Sequence, residues 1–245
     1  MKKATMLMVF GITLLATMGI SSIIPALPLM ADAYGIPMER SWRIIASFAL
    51  PGLLCIPFVG VWADRFGRKR VLIPALAVFM LGGMGCFFAR DYVELLLCRM
   101  VQGAGSAPLG LLYPTIIADT WQGEDRVRVM SLTAMVLGIG TAVSPAVGGA
   151  LAMLHWKLPF LMPLLGLPVA LLAVRLPLMR PGNREPLSQY ARKRARAAGR
   201  KETLILLGLT LLTFIMLSGP IITCFPLLAE GKFKASPLES GLILA

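Results

Sequence analysis

The chain reads as an all-α polytopic membrane protein, and three observations predict it. Hydrophobic residues make up 57% of its 245 positions and charged residues only 15%, with a strongly positive mean hydropathy. A soluble domain carries about 25% charge. Apolar stretches of about 20 residues recur along the chain, each long enough to cross a bilayer core. Lysine and arginine alternate between rich and poor loops, as they do in chains that cross a membrane repeatedly.

Spans are predicted near 4–28, 43–62, 71–89, 93–118, 127–151, 157–177 and 204–228, with an eighth opening near 238. The first has a signal-peptide flavour: Lys2 and Lys3 precede it and Ala31-Asp32-Ala33 follows it. Its apolar stretch exceeds the roughly 7–15 residues of a signal h-region, so it is read as an uncleaved helix. Pro25 and Pro28 predict an irregular end to this span. Thr13, Thr17 and Ser21 make a polar stripe on it, although such hydroxyls often bond their own helix carbonyls.

The basic-rich set is the N-terminus, 63–70, 124–128 and 175–201, which together hold seventeen of the 24 lysines and arginines. The positive-inside rule places these segments, and the N-terminus with them, in the cytoplasm. Trp42, Trp62, Trp121 and Trp156 all fall at span ends, where an amphipathic ring prefers to lie. The run from Arg180 to Lys201 is strongly basic. A solvated cytoplasmic linker following the orientation rule explains it better than nucleic-acid binding, and residues 187–201 could touch anionic lipid as a surface helix.

Cys55, Cys86, Cys98 and Cys224 sit in four different spans without paired spacing, and His155 is the only histidine. The cysteines read as small apolar packing residues. No metal site, redox site or cofactor is expected, and no enzyme constellation of Ser/His/Asp or Walker type is visible.

Between the second and third spans, residues 60–70 read Gly-Val-Trp-Ala-Asp-Arg-Phe-Gly-Arg-Lys-Arg. Gly60 and Gly67 permit close backbone approach or a turn. Asp64 and Arg68 are four apart and pair if the helix of span 2 continues that far. Arg65, Arg68, Lys69 and Arg70 also hold the loop inside. This string resembles the hallmark loop of the major facilitator superfamily of secondary transporters. The resemblance implies that Asp64, Arg68 and Asp119, with Gly60, Arg65 and Gly67 in the same loop, form a conformational latch between two six-helix halves.

Span 4 carries Arg99 inside the bilayer, where a charge is costly and by default a functional candidate. Arg99, Ser106 and Tyr113 recur every seven residues and so lie within about 40° of one face, flanked by Gln102 and Gly103. A polar stripe in lipid points into the bundle or a wet cavity. The run from Arg99 to Ala107 resembles the superfamily's span-4 motif, whose arginine is implicated in proton coupling. That makes Arg99, Gln102, Ser106 and Tyr113 candidates for coupling or for lining the cavity. Bridging of helices by Arg99 is the plainer alternative.

In span 5, Gly140, Ser144 and Gly148 are spaced by four, a small-residue ladder suited to close packing. Pro145 cannot donate to the Thr141 carbonyl, so the helix can bend there. The run from Gly138 to Gly149 resembles the antiporter motif of the superfamily's exporters, with Ser144 in place of the glycine expected before Pro145. Gly149 completes the set.

Span 7 resembles span 1: Gly208-Leu209-Thr210-Leu211-Leu212 answers Gly11-Ile12-Thr13-Leu14-Leu15, and Ser218 answers Ser21. Superfamily halves are related by an axis along the membrane normal. The expected organisation is therefore a six-helix bundle over 1–178, a basic cytoplasmic linker over 179–203, and the start of a second bundle over 204–245. Twelve or fourteen spans are expected for the family, so a missing C-terminal half or a partner chain is expected to be needed. The function implied is proton-coupled export of small lipophilic compounds or drugs by alternating access across a cell membrane, such as a bacterial inner membrane. The expected partners are a small-molecule substrate, protons and the lipid bilayer, not nucleic acid. A carrier for one metabolite and a non-transporting fragment are the alternatives. No Asp or Glu lies near the middle of a span; Asp32, Glu94 and Asp119 are candidate proton carriers but none is well placed, and the missing half is the alternative location for the carrier.

Overall fold

The computed structural model describes residues 2–176, 205 and 208–213. Residues 2–176 belong to one compact unit, and 205 with 208–213 to a second. In the first unit α1 (Lys2–Ser21), α2 (Leu27–Tyr34), α3 (Trp42–Phe66), α4 (Arg68–Phe88), α5 (Tyr92–Thr120), α6 (Gly123–Leu154) and α7 (Gly166–Arg175) follow one another, joined by short turns. Six stretches are long and apolar enough to cross a membrane: Lys2–Ala33, Met38–Phe66, Arg68–Phe88, Tyr92–Thr120, Gly123–Leu154 and Leu158–Arg175. They match the first six predicted spans. In the second unit, residues 208–213 are helical, within the predicted seventh span. Apart from residue 205, the rest of that span lies outside the described residues, as do the 179–203 linker and the eighth span.

The prolines shape the spans as their missing N–H groups require. α1 stops at Ser21, a 3₁₀ turn covers Ile24–Ala26 with Pro25 near its start, and α2 resumes with Pro28 in its first turn. Span 1 thus ends irregularly, as expected, and runs farther than predicted. The last span opens as a 3₁₀ stretch over Leu158–Leu165 containing Pro159 and Pro163 before α7 begins. Such a run is long for 3₁₀ geometry, and the hydropathy pattern did not reveal it.

One apolar cluster gathers Met8, Ile12, Leu15, Leu76, Phe79 and Leu112. A second, toward the opposite end, gathers Ile23, Met30, Ile44, Cys86, Leu95 and Phe160. α3 and α4 both pack along α5, and α1 packs along α6. Lipid is as apolar as leucine, so close van der Waals packing has to hold these helices together. Gly103 of α5 lies so near the Phe48 carbonyl of α3 that no side chain would fit. Trp121 lies at the end of α5, as expected for a span-end tryptophan, and is 5% exposed and packed in the first cluster. Its backbone N–H closes the end of α5 on the Ile117 carbonyl.

Candidate functional site

α3 ends at Phe66 because Gly67 takes φ 95°, a conformation that disfavours side chains. Arg68 is then the first residue of α4. The helix does not continue through residue 68, contrary to the condition set for the Asp64–Arg68 pair, yet the pair forms. Arg68 reaches back across the turn, with Nη2 3.2 Å from Asp64 Oδ1. Its Nη1 donates to the Ala63 carbonyl at 3.3 Å. Its Nε lies 2.8 Å from Asp119 Oδ2, at the end of α5. That last contact is too bent to be a hydrogen bond and is held by charge. The side chains of Arg68, Asp64 and Asp119 are 17%, 36% and 32% exposed. Half-wet pairs of this kind contribute about 0–1 kcal/mol each. Gly60 lies inside α3, and Arg65 is exposed with its guanidinium 6.0 Å from the Phe66 ring centre.

Sequence reasoning missed the partner of Lys69. Its ammonium donates to the Val174 carbonyl and, at 3.1 Å, to the Leu176 carbonyl. The last carbonyls of a helix have no partner within it, and a cation suits that end of the dipole. Lys69 therefore fastens the 60–70 turn to the exit of α7. The cation-rich loop was the only available signal, and it named no acceptor.

Toward the other end of α5, Arg99 is wholly buried. Nη1 donates to the Gly19 carbonyl at 3.0 Å and to Gln102 Oε1 at 2.7 Å, and Nε donates to the Ile44 carbonyl at 3.3 Å. The guanidinium lies 4.3 Å from the Phe48 ring centre. Gly19 is in the last turn of α1, where the chain breaks before Pro25 and leaves carbonyls unpaired. Ser22 Oγ takes the Met18 carbonyl at 2.5 Å, the Ile23 N–H takes that of Ile20 at 3.0 Å, and Arg99 takes that of Gly19. The break in span 1 thus makes an acceptor that the arginine fills. Arg99 Nη2 and Gln102 Nε2 find no hydrogen-bond partner.

The predicted polar stripe separates in space. Arg99 and Gln102 meet, but Ser106 Oγ bonds the Gly103 carbonyl of its own helix at 2.8 Å. Tyr113 is half-buried against the first apolar cluster. On α1, Thr13 and Thr17 likewise bond their own helix, through the Val9 and Leu14 carbonyls.

The span-5 ladder faces α1. A Cβ at Gly140 would sit 2.9 Å from Leu14 and Thr17 side-chain atoms, and one at Gly148 would collide with the Ser22 carbonyl. Ser144, Pro145 and Gly149 are buried, and Ser144 Oγ has no hydrogen-bond partner. α6 runs through Pro145 as one helix.

The opposite end of the bundle from the Asp64–Arg68–Asp119 cluster is aromatic. The Tyr34 ring meets Trp156 edge-on at 5.2 Å and lies 6.1 Å from Tyr92. Lys157 Nζ donates to the Ala89 carbonyl at 2.7 Å, with a long contact from Tyr34 Oη at 3.5 Å. Tyr92 Oη donates to the Arg40 carbonyl at 3.1 Å. Burial pushes the Tyr34 hydroxyl up to about 12, so it remains a donor. Of these rings only Trp156 was marked in advance, by its place at a span end. Asp32 and Glu94 are exposed near this end, and Glu94 accepts from the Arg90 N–H at 2.9 Å. Among the described residues no group of three His, Cys, Asp or Glu could hold a metal.

Fold and site together define a multi-pass helical membrane protein with a charged turn between its second and third spans. The Major Facilitator Superfamily profile matches residues 9–245, and the chain belongs to that family. It is 32% identical over 157 residues to the bacillibactin exporter of Bacillus subtilis, covering 61% of this chain and 39% of that protein. It is 27% identical over 188 residues to multidrug resistance protein 1 of the same organism, covering 75% and 48%. An uncharacterized transporter of Mycobacterium tuberculosis, EfpA, is 30% identical over 245 residues, covering 98% and 42%. The chain thus spans less than half the length of these relatives. Among solved structures, a bacterial homologue of the lysosomal transporter Spinster superposes with a TM-score of 0.75 at 18% identity, covering 98% of this chain and 57% of that one. A D-xylose–proton symporter gives 0.68 at 17%, covering 98% and 64%. At such identities the likeness is one of fold.

Proposed function

We propose that the chain forms the first six-helix half, over 1–178, of a secondary transporter that exports small lipophilic compounds or drugs by alternating access. Residues 179–203 are its cytoplasmic linker and 204–245 open its second half. The N-terminus is cytoplasmic, and the membrane is a bacterial inner membrane. The observation that carries this reading is the sharing of Arg68 between Asp64 and Asp119. An ion cluster that is half in water breaks and re-forms at modest cost, as a latch between conformations must. Gly60, Arg65 and Gly67 shape and charge that latch.

Export, rather than uptake, is supported by the named exporter and multidrug relatives and by the Gly140–Ser144–Pro145–Gly148–Gly149 face on α6. Arg99, Gln102, Ser106 and Tyr113 serve proton coupling or line the substrate cavity. Arg99 is met by carbonyl and amide oxygens rather than by a carboxylate, so the proton carrier is sought in the second half. A completed transporter needs that half, from the same polypeptide or from a partner chain.

The test is efflux from cells expressing the chain together with its second half. Efflux of lipophilic dyes should collapse when a protonophore dissipates the gradient. Persistence of efflux without a gradient would end the coupling reading. A carrier for one metabolite is the second reading, favoured by the relative that exports a single compound. It predicts one saturable substrate and unchanged resistance to unrelated drugs.

A further inference from the structure

α3 and α4 each pack along α5 and far less on one another. Between them lies an open groove of about 590 Å³ that neither the charge cluster nor Arg99 uses. Trp62 and Phe66 of α3 wall one side, Val71 and Pro74 of α4 the other, and Ala104 with Gly105 of α5 leave the floor low. From Cys55 to Phe66 the groove follows α3 for about 16 Å at the helical rise. That is about half of a hydrocarbon core of roughly 30 Å, the depth of one leaflet. Arg70 lines the groove at the end where the 60–70 turn meets water. It is exposed, and no ion pair or hydrogen bond engages it among the described residues. Arg65, also exposed, stands on the same turn.

We propose that this groove binds an anionic phospholipid from the leaflet on the side of the 60–70 turn, with one acyl chain against Trp62 and Val71 and its phosphate on Arg70. Charge selects this occupant. The exposed guanidiniums of Arg65 and Arg70 attract a lipid phosphate. Depth selects it as well, because a chain of one leaflet's length fills the recess while its headgroup stays in water.

The test reads lipid binding and no transport, so it stands apart from the export proposal. The purified chain, delipidated in detergent micelles, is titrated with phosphatidylglycerol or phosphatidylcholine and the bound lipid is counted by native mass spectrometry. The unmodified chain should prefer phosphatidylglycerol by about fivefold, the value of one arginine at an anionic surface. Arg70→Gln should erase the preference, and Arg90→Gln, exposed at the other end, should keep it. Ala104→Phe should weaken binding of both lipids by raising the floor. On the unmodified chain, bound phosphatidylglycerol should slow pyrene-maleimide labelling of Cys55, which lines the groove, followed by peptide mass. Equal affinity for the two lipids overturns the proposal, as does a preference that survives in Arg70→Gln. Labelling of Cys55 that phosphatidylglycerol leaves unchanged also overturns it, and gives the groove to another occupant such as a helix of the second half.

Discussion

The two ends of the six-span bundle are fastened by different physics. At the end built from the α3–α4 turn and the C-terminus of α5, Arg68 is shared by two carboxylates that are each about a third exposed, and Lys69 holds the exit of α7. At the other end Tyr34, Tyr92 and Trp156 meet ring against ring, and Lys157 closes on a backbone carbonyl. Water and salt weaken the first kind of contact. They leave ring packing largely untouched, because it rests on dispersion and the quadrupole. Between the ends, Arg99 is wholly buried and donates through Nε and Nη1 to the Ile44 and Gly19 carbonyls and to Gln102 Oε1. The contrast teaches which end of the bundle is held by contacts that water and salt weaken and which is held by contacts they leave largely intact.

The buried junction is the severest place to break this picture. Arg99→Ala strands the Gly19 and Ile44 carbonyls, each costing about 1–3 kcal/mol when unsatisfied. We expect the largest drop in melting temperature here, read by thiol-reactive dye unfolding in detergent, together with lost coupling. Arg99→Lys should recover only part of the stability, since an ammonium cannot span the acceptors as a fork does. Next comes the α1–α6 seam: Gly148→Val drives a side chain into the Ser22 carbonyl and should cost about 1–3 kcal/mol by overpacking, measured by the same melt.

The charged end should yield little stability and much function. Asp64→Asn and Asp119→Asn should each change stability by about 1 kcal/mol or less, without loss of membrane insertion, while efflux by the completed transporter falls. Unchanged efflux in both would remove the latch. The smallest effect sharpens the contrast. Lys157→Met removes one hydrogen bond and one cation–π contact at 5.0 Å from Trp156, worth about 1 kcal/mol together. Its melting penalty should be the same at low and high salt, whereas the penalty for Asp119→Asn should shrink as salt rises.

Much of this is legible in the sequence. Six spans follow from hydropathy because a backbone in lipid has to satisfy its own polar groups, which makes long apolar runs helical. Pro25 and Pro28 announced the break in span 1. The spacing of Gly140, Ser144 and Gly148 announced a packing face, though not that α1 would be its partner. Asp64 and Arg68 were paired by spacing through a helix that in fact ends at Phe66; the pair survives because Gly67 folds the chain back on itself. The seven-residue spacing of Arg99, Ser106 and Tyr113 did not show that Ser106 would bond the Gly103 carbonyl of its own helix rather than join Arg99 and Gln102.

By itself, the order of residues determined everything that depends on neighbours along the chain: the spans, their proline breaks, the charged turn and the family to which these belong. Tertiary structure alone decided who meets whom across long separations: Lys69 with the end of α7, Arg99 with Gly19 and Ile44, and Tyr34 with Trp156. The reason is physical. Helix and span formation are local free-energy choices, repeated every few residues. The partner of a lone arginine or lysine is whichever carbonyl the packing of other helices leaves unpaired, and no window of sequence contains that information.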